Sequence, residues 1–63
     1  MNRKETMTMI VVSNIVSLRK QGRSEEIEGY MKTIVDMGEL TKEEVDICAS
    51  LAIKNMQRLG MMG

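Results

Sequence analysis

The segment 7–18, MTMIVVSNIVSL, carries more apolar surface than a chain of 63 residues can easily cover by itself. On a helical wheel of about 100° per residue, one arc forms a core-facing stripe of Met7, Ile10, Val11, Ile15 and Leu18. The opposite side holds Met9, Val12 and Val16. A helix that is apolar on most of its circumference is usually buried on more than one face. We therefore expect the rest of the chain to pack around this helix, and a second copy to cover its remaining face.

A strand is the alternative structure for this segment. Several of its residues are β-branched, and the pair Ser13 and Asn14 could turn a hairpin. However, the run is long, lacks glycine and does not alternate strictly between apolar and polar residues. These properties favour a helix.

Capping signals predict that the first helix covers residues 3–21. Asn2 is suited to be its N-cap, and Glu5 follows at the spacing of a capping box. Gly22 can adopt the left-handed conformation that ends a helix.

A second helix is predicted over residues 24–37, with Ser24 as its N-cap and Gly38 after its end. Its apolar residues recur at helical spacing and form one stripe: Ile27, Tyr30, Met31, Ile34 and Val35.

The third helix, predicted over residues 42–59, has the clearest start. Thr41 and Glu44 form a capping box, and Leu40 and Val45 have the spacing of a hydrophobic staple. Gly60 is predicted to stop the helix. The core-facing stripe consists of Val45, Cys48, Ala49, Ala52, Ile53, Met56 and Leu59, whereas Ile47 and Leu51 lie outside it.

The short chain length limits the fold to a single domain over residues 1–63. A core of this size rarely supplies more than about 3–5 kcal/mol, so such chains need a disulfide, a metal or association. One cysteine and no histidine exclude an internal disulfide and a Cys/His zinc site. The predicted fold is therefore an all-α, self-associating bundle of three short helices, most simply a homodimer.

Charge and hydropathy indicate where the protein is located and which classes of partner it binds. Nine basic and nine acidic residues give no net charge, which argues against a dedicated nucleic-acid or membrane-surface binder. No apolar run approaches the ~20 residues of a membrane span, and no signal-peptide pattern is visible. With a lone thiol, these features indicate a cytoplasmic protein.

No residue pattern indicates catalysis, a metal site or a cofactor, so we expect a protein that is not an enzyme. Cys48 lies on a core stripe and has no histidine to activate it. Glu43, Glu44 and Asp46 begin a helix and lack the alternating oxygen ligands of a calcium loop.

The candidate self-association residues are those that a core of three helices leaves over. Asn14 is included because a single buried asparagine can fix the register and oligomeric state of a helical interface. The set is Met9, Val12, Asn14, Val16, Ile47 and Leu51.

Two features raise the alternative of a dimeric DNA-binding regulator. The second and third helices are spaced like a helix-turn-helix, and Arg19, Lys20 and Arg23 form a basic cluster. However, the first turn of the reading helix would be acidic, which fits poorly against phosphates. Binding to nucleic acid is therefore not expected.

The predicted function is that of a small regulatory or inhibitory interaction module, which binds another protein as a homodimer. Eight methionines and a single aromatic residue support it. Methionine is common on surfaces that repack around a partner, although it also fills irregular cores.

Overall fold

The computed structural model describes residues 2–58 and 60, and within them the chain is helical with no strand. Helix α1 spans Arg3–Lys20, α2 spans Ile27–Asp36 and α3 spans Lys42–Arg58. A short 3-10 turn, Ser24–Glu26, precedes α2. The predicted all-α bundle of three helices is confirmed, and the strand alternative for residues 7–18 is wrong.

Asn2 caps α1 and Gly22 ends it, as the sequence predicts, but the capping box differs in its second bond: the Glu5 carboxylate accepts from the Asn2 side-chain amide at 3.1 Å rather than from its backbone N–H. The Asn2 side-chain oxygen accepts the Glu5 N–H at 2.8 Å, which satisfies one free donor of the first turn. At the other end Gly22 has φ 73°. The N–H of Gly22 donates to the carbonyl of Arg19 at 3.1 Å, and that of Arg23 to the carbonyl of Leu18 at 2.8 Å. These two bonds form a Schellman motif.

The start of α2 differs from the prediction. Ser24 is not an N-cap; it is the first residue of the 3-10 turn, and α2 begins at Ile27. Glu26 does not cap α2; its carboxylate pairs with Arg23 at 2.6 Å and closes the turn. Gly38, with φ 74°, ends α2 through a second Schellman motif.

The start of α3 follows the prediction closely. The Thr41 N–H donates to the Glu44 carboxylate at 2.9 Å, and the Glu44 N–H donates to the Thr41 hydroxyl at 3.2 Å. Leu40 and Val45, the predicted staple, are both buried in the core. The predicted end of α3 at Leu59 lies outside the described residues.

Helices α1 and α3 lie side by side and run parallel. Lys4 contacts Glu44 at 3.2 Å, and the Cys48 thiol lies 4.0 Å from the Thr8 carbonyl oxygen. Both pairs join residues 40 positions apart, so the two helices advance in the same direction.

Helix α2 runs in the opposite direction. Arg3, at the start of α1, meets Glu39, whereas Asn14, further along α1, meets Tyr30. Later positions of α1 therefore meet earlier positions of the segment from Tyr30 to Glu39.

The buried core is centred on α3, which packs against both other helices, whereas α1 packs mainly on α3. The expectation that the chain packs around α1 is therefore corrected. Small side chains explain the change, because Cys48 and Ala52 are fully buried and let α1 approach α3 closely. The core cluster consists of Val11, Ile15, Ile27, Ile34, Leu40, Val45, Cys48 and Ala52.

The first testable consequence concerns the α3 cap. Replacing Thr41 by alanine removes the acceptor for the Glu44 N–H, and should lower the free energy of unfolding by about 0.5–2 kcal/mol. Chemical denaturation of the variant and the parent measures this. Ser50→Ala, an exposed substitution within α3, is the control and should shift stability by less than about 0.5 kcal/mol. An unchanged midpoint for Thr41→Ala would show that this cap contributes nothing.

The second consequence concerns acid stability. The pKa of Glu44 is lowered, chiefly by the hydrogen bond from the Thr41 N–H and also by Lys4. Its contribution to stability is therefore complete above the unfolded-state pKa of about 4.3, and is lost as the pH falls through the lower folded-state value.

Glu44→Gln should flatten this loss, because the glutamine does not titrate. Thermal melts between about pH 6 and pH 3 measure the effect. Glu43→Gln removes the same charge from the same turn of α3, and should retain the parent's decline. A parent-like decline in Glu44→Gln would contradict the assignment.

Candidate interaction surface

A groove of about 810 Å³ runs between α1 and α3 on the outside of the bundle. Its apolar residues are Met9, Val12, Val16 and Leu51. Lys20 and Arg58 line it towards the C-terminal ends of the two helices. We call this groove, together with the exposed flanking residues of α1 and α3, the α1/α3 face.

Four of the six predicted self-association residues line this groove, and a fifth extends it. Ile47 lies one helical turn before Leu51, on the same side of α3. Met9 is 59% exposed, Ile47 57% and Leu51 41%. These five side chains therefore form one largely apolar surface along two neighbouring helices.

The second side of α1 is covered more by the chain itself than the sequence suggested. Val12 and Val16 are half-buried and pack against the core. Ile10, placed on the core stripe, is instead 46% exposed. The buried side of α1 faces α3 more directly than the helical wheel predicted, because α1 packs mainly against α3 and not against α2.

The structure does not bring Asn14 together with the other five candidates. Asn14 is exposed on the α2 side of α1, and its amide donates to the Tyr30 hydroxyl at 2.8 Å. Tyr30 of the same chain is therefore the hydrogen-bond partner of Asn14.

Sequence reasoning also missed Met37, which is 65% exposed at the C-terminal end of α2.

Cys48 has the environment of a structural thiol. It is fully buried, and burial raises the pKa of the thiol, which disfavours the nucleophilic thiolate. In the part of the chain that the structure describes, no three potential ligands lie close enough to hold a metal ion.

A second groove, of about 620 Å³, lies between α2 and α3. Its apolar residues include Ile27, Met31 and Val35, and its charged residues are of both signs. Arg19 reaches it from α1 with its Nε buried and unpartnered among residues 2–58 and 60. Because acidic residues such as Glu28 and basic residues such as Lys32 both line this groove, it favours neither anionic nor cationic ligands.

The basic residues near the end of α1 do not form one patch. Arg19 lines the α2/α3 groove, and Lys20 lines the α1/α3 groove. Arg23 forms two hydrogen bonds with Glu26, at 2.6 and 2.7 Å. This contact lowers the pKa of Glu26 and raises that of Arg23, so both remain charged near neutral pH and largely offset one another.

The start of α3 would be the reading end in a helix-turn-helix arrangement. Its first turn carries Glu43 and Glu44, and Glu44 already bonds to Thr41 and Lys4. Phosphates would meet acidic side chains at this end of the helix.

Comparisons of the chain with protein-family models, curated proteins and solved structures find no match. None of the described helices is both long and apolar enough to span a membrane.

The dispersed cations give a testable prediction. The triple variant Arg19→Gln, Lys20→Gln and Arg23→Gln should bind duplex DNA no differently from the parent, because these three cations lie on different parts of the surface and Arg23 is already paired with Glu26. Fluorescence anisotropy with a labelled duplex at low salt measures this. Tight binding by the parent that is lost in the variant would overturn the prediction and support DNA binding.

Proposed function

We propose that this chain is a small regulatory or inhibitory interaction module that forms a homodimer and acts by binding another protein. The observation that carries the proposal is the α1/α3 face, where apolar side chains from two helices remain exposed next to a groove. Exposed apolar patches with a polar rim are typical of protein interaction sites.

The energetics favour association. Full burial of one large apolar side chain is worth roughly 1.5–3 kcal/mol, whereas one small core rarely supplies more than about 3–5 kcal/mol in total. Met9, Ile47 and Leu51 keep only about half of their surface in water, and covering all three would still add an amount comparable to the stability of the isolated chain. Such a gain couples folding to dimer formation.

Binding to a further protein is supported by Met37, which is 65% exposed at the C-terminal end of α2 and does not line the α1/α3 groove. Methionine adapts to partners of different shape. We infer that the action of the chain is binding itself.

Coupling of folding to association gives the main test. Thermal midpoints should rise with protein concentration across a hundredfold range, and sedimentation equilibrium should show a dimer. Val16→Lys places a charge in the groove and should give a largely unfolded monomer. Val16→Ala should weaken the dimer and keep the helices, as circular dichroism would show.

The matched control is Gln57→Lys, which adds the same charge to an exposed position of α3 that does not line the groove. It should retain the parent's dimer. A compact monomer with a concentration-independent midpoint would refute the dimer. The protein partner is tested by affinity purification of the tagged chain from its native cell, followed by reconstitution from purified components.

A further inference from the structure

We propose that the α1/α3 face binds a second copy of the same face, with the helices of the two copies antiparallel about a two-fold axis near Val12 and Leu51. This inference rests on the proposed homodimer and specifies its interface. It follows from the order of charged and apolar residues along α1 and α3.

Along the outer side of α1, an acid is followed by apolar residues and then by a base. Glu5, Met9 and Val12 share this side with Val16 and Lys20, because they recur at intervals of three or four residues. Met9, Val12, Val16 and Lys20 all line the groove.

The outer side of α3 has the same order. Glu43 precedes Ile47 and Leu51, and Lys54 and Arg58 follow them at helical spacing. Because α1 and α3 run parallel, the acids of both helices lie at one end of the face and the bases at the other. The apolar residues occupy the middle.

These charges are available to a partner. The ion pairs within residues 2–58 and 60 join Arg3 to Glu39, Lys4 to Glu44 and Arg23 to Glu26. The charged residues of the face belong to none of them: Glu5, Glu43, Lys20, Lys54 and Arg58.

A two-fold axis that lies in the face and perpendicular to the helices makes this order self-complementary. It sets each α1 antiparallel to the partner copy's α1, and each α3 antiparallel to the partner copy's α3. Glu5 of one copy then lies opposite Lys20 of the other, and Glu43 lies opposite Arg58. Opposite charges meet at both ends, and apolar residues meet in the middle.

One axis satisfies both helices. In each helix the acid and the base are about 15 residues, or about 22 Å, apart, so the midpoints fall near Val12 and Leu51. The register of Thr8 beside Cys48 places these midpoints within about two residues, or about 3 Å, of one another along the bundle.

The parallel two-fold arrangement is disfavoured. Rotation about an axis along the helices would place Glu5 beside the partner copy's Glu43, and Lys20 beside its Arg58. Like charges would then meet at both ends, which weakens association and selects against this orientation.

Cross-linking with a short bis-maleimide tests the geometry. Leu51→Cys lies near the proposed axis and should give a covalent dimer in high yield. The controls are the parent, whose thiol at Cys48 is buried, and Asp46→Cys, which places an exposed thiol on the α2/α3 groove; both should give little.

Cross-linking in mixtures of two cysteine variants distinguishes the antiparallel dimer from the parallel one. Chains with Glu5→Cys should cross-link to chains with Lys20→Cys and only weakly to themselves. If Glu5→Cys instead cross-links best to Glu43→Cys, the dimer is parallel and the inference is wrong.

Charge reversal tests the ion pairs independently. Lys20→Glu combined with Arg58→Glu should raise the dimer dissociation constant about 10- to 100-fold at low salt, and less at 1 M salt. Lys32→Glu combined with Lys42→Glu changes the net charge equally on the α2/α3 groove, and should leave the constant within about threefold.

The outcomes separate this inference from the proposed function. A parent that is monomeric at every concentration overturns the dimer itself. A dimeric parent with no cross-link at Leu51→Cys, or with equal responses to the two charge reversals, overturns only the interface. Circular dichroism of each variant confirms that the helices are retained.

Discussion

Close packing of α1 against α3 is the contact on which the rest of the structure depends. Val11 and Ile15 are buried against a surface made of small side chains, Cys48 and Ala52. This contact fixes the parallel register and brings Lys4 to Glu44. It also sets the distance and register between the outer side chains of α1 and those of α3. The packing of the core therefore determines the geometry of the proposed interface.

Charge order along the helices serves two purposes in this arrangement. Glu5 and Glu43 in the first turns of α1 and α3, and Lys20 and Arg58 in their last turns, complement the helix dipoles within one chain. The same order, repeated on two parallel helices, gives a face with one negative and one positive end. Neutral net charge means that two copies do not repel one another overall.

Local signals predicted the local structure well. Asn2, Thr41, Gly22 and Gly38 act through hydrogen bonds and backbone angles within a few residues, so the sequence predicts them directly. Ser24 was predicted wrongly because Arg23 and Glu26 close that turn instead. The rotation of α1 and the exposure of Ile10 depend on which helix packs where, which periodicity alone does not specify. The groove was predicted in part, through Met9, Val12, Val16 and Leu51, but its parallel charge order required the register of α1 and α3.

The hydrogen bond between Asn14 of α1 and Tyr30 of α2 allows the contact between these helices to be followed by tyrosine spectroscopy. Tyr30 is the single aromatic residue of the chain, and its hydroxyl oxygen accepts the amide proton of Asn14. With no tryptophan to mask it, near-ultraviolet absorbance and fluorescence arise from this one half-buried ring. Spectral change at the tyrosine band therefore follows the separation of α2 from α1, while far-ultraviolet dichroism follows the helices themselves. Unfolding in which the two signals coincide would be cooperative across the whole bundle.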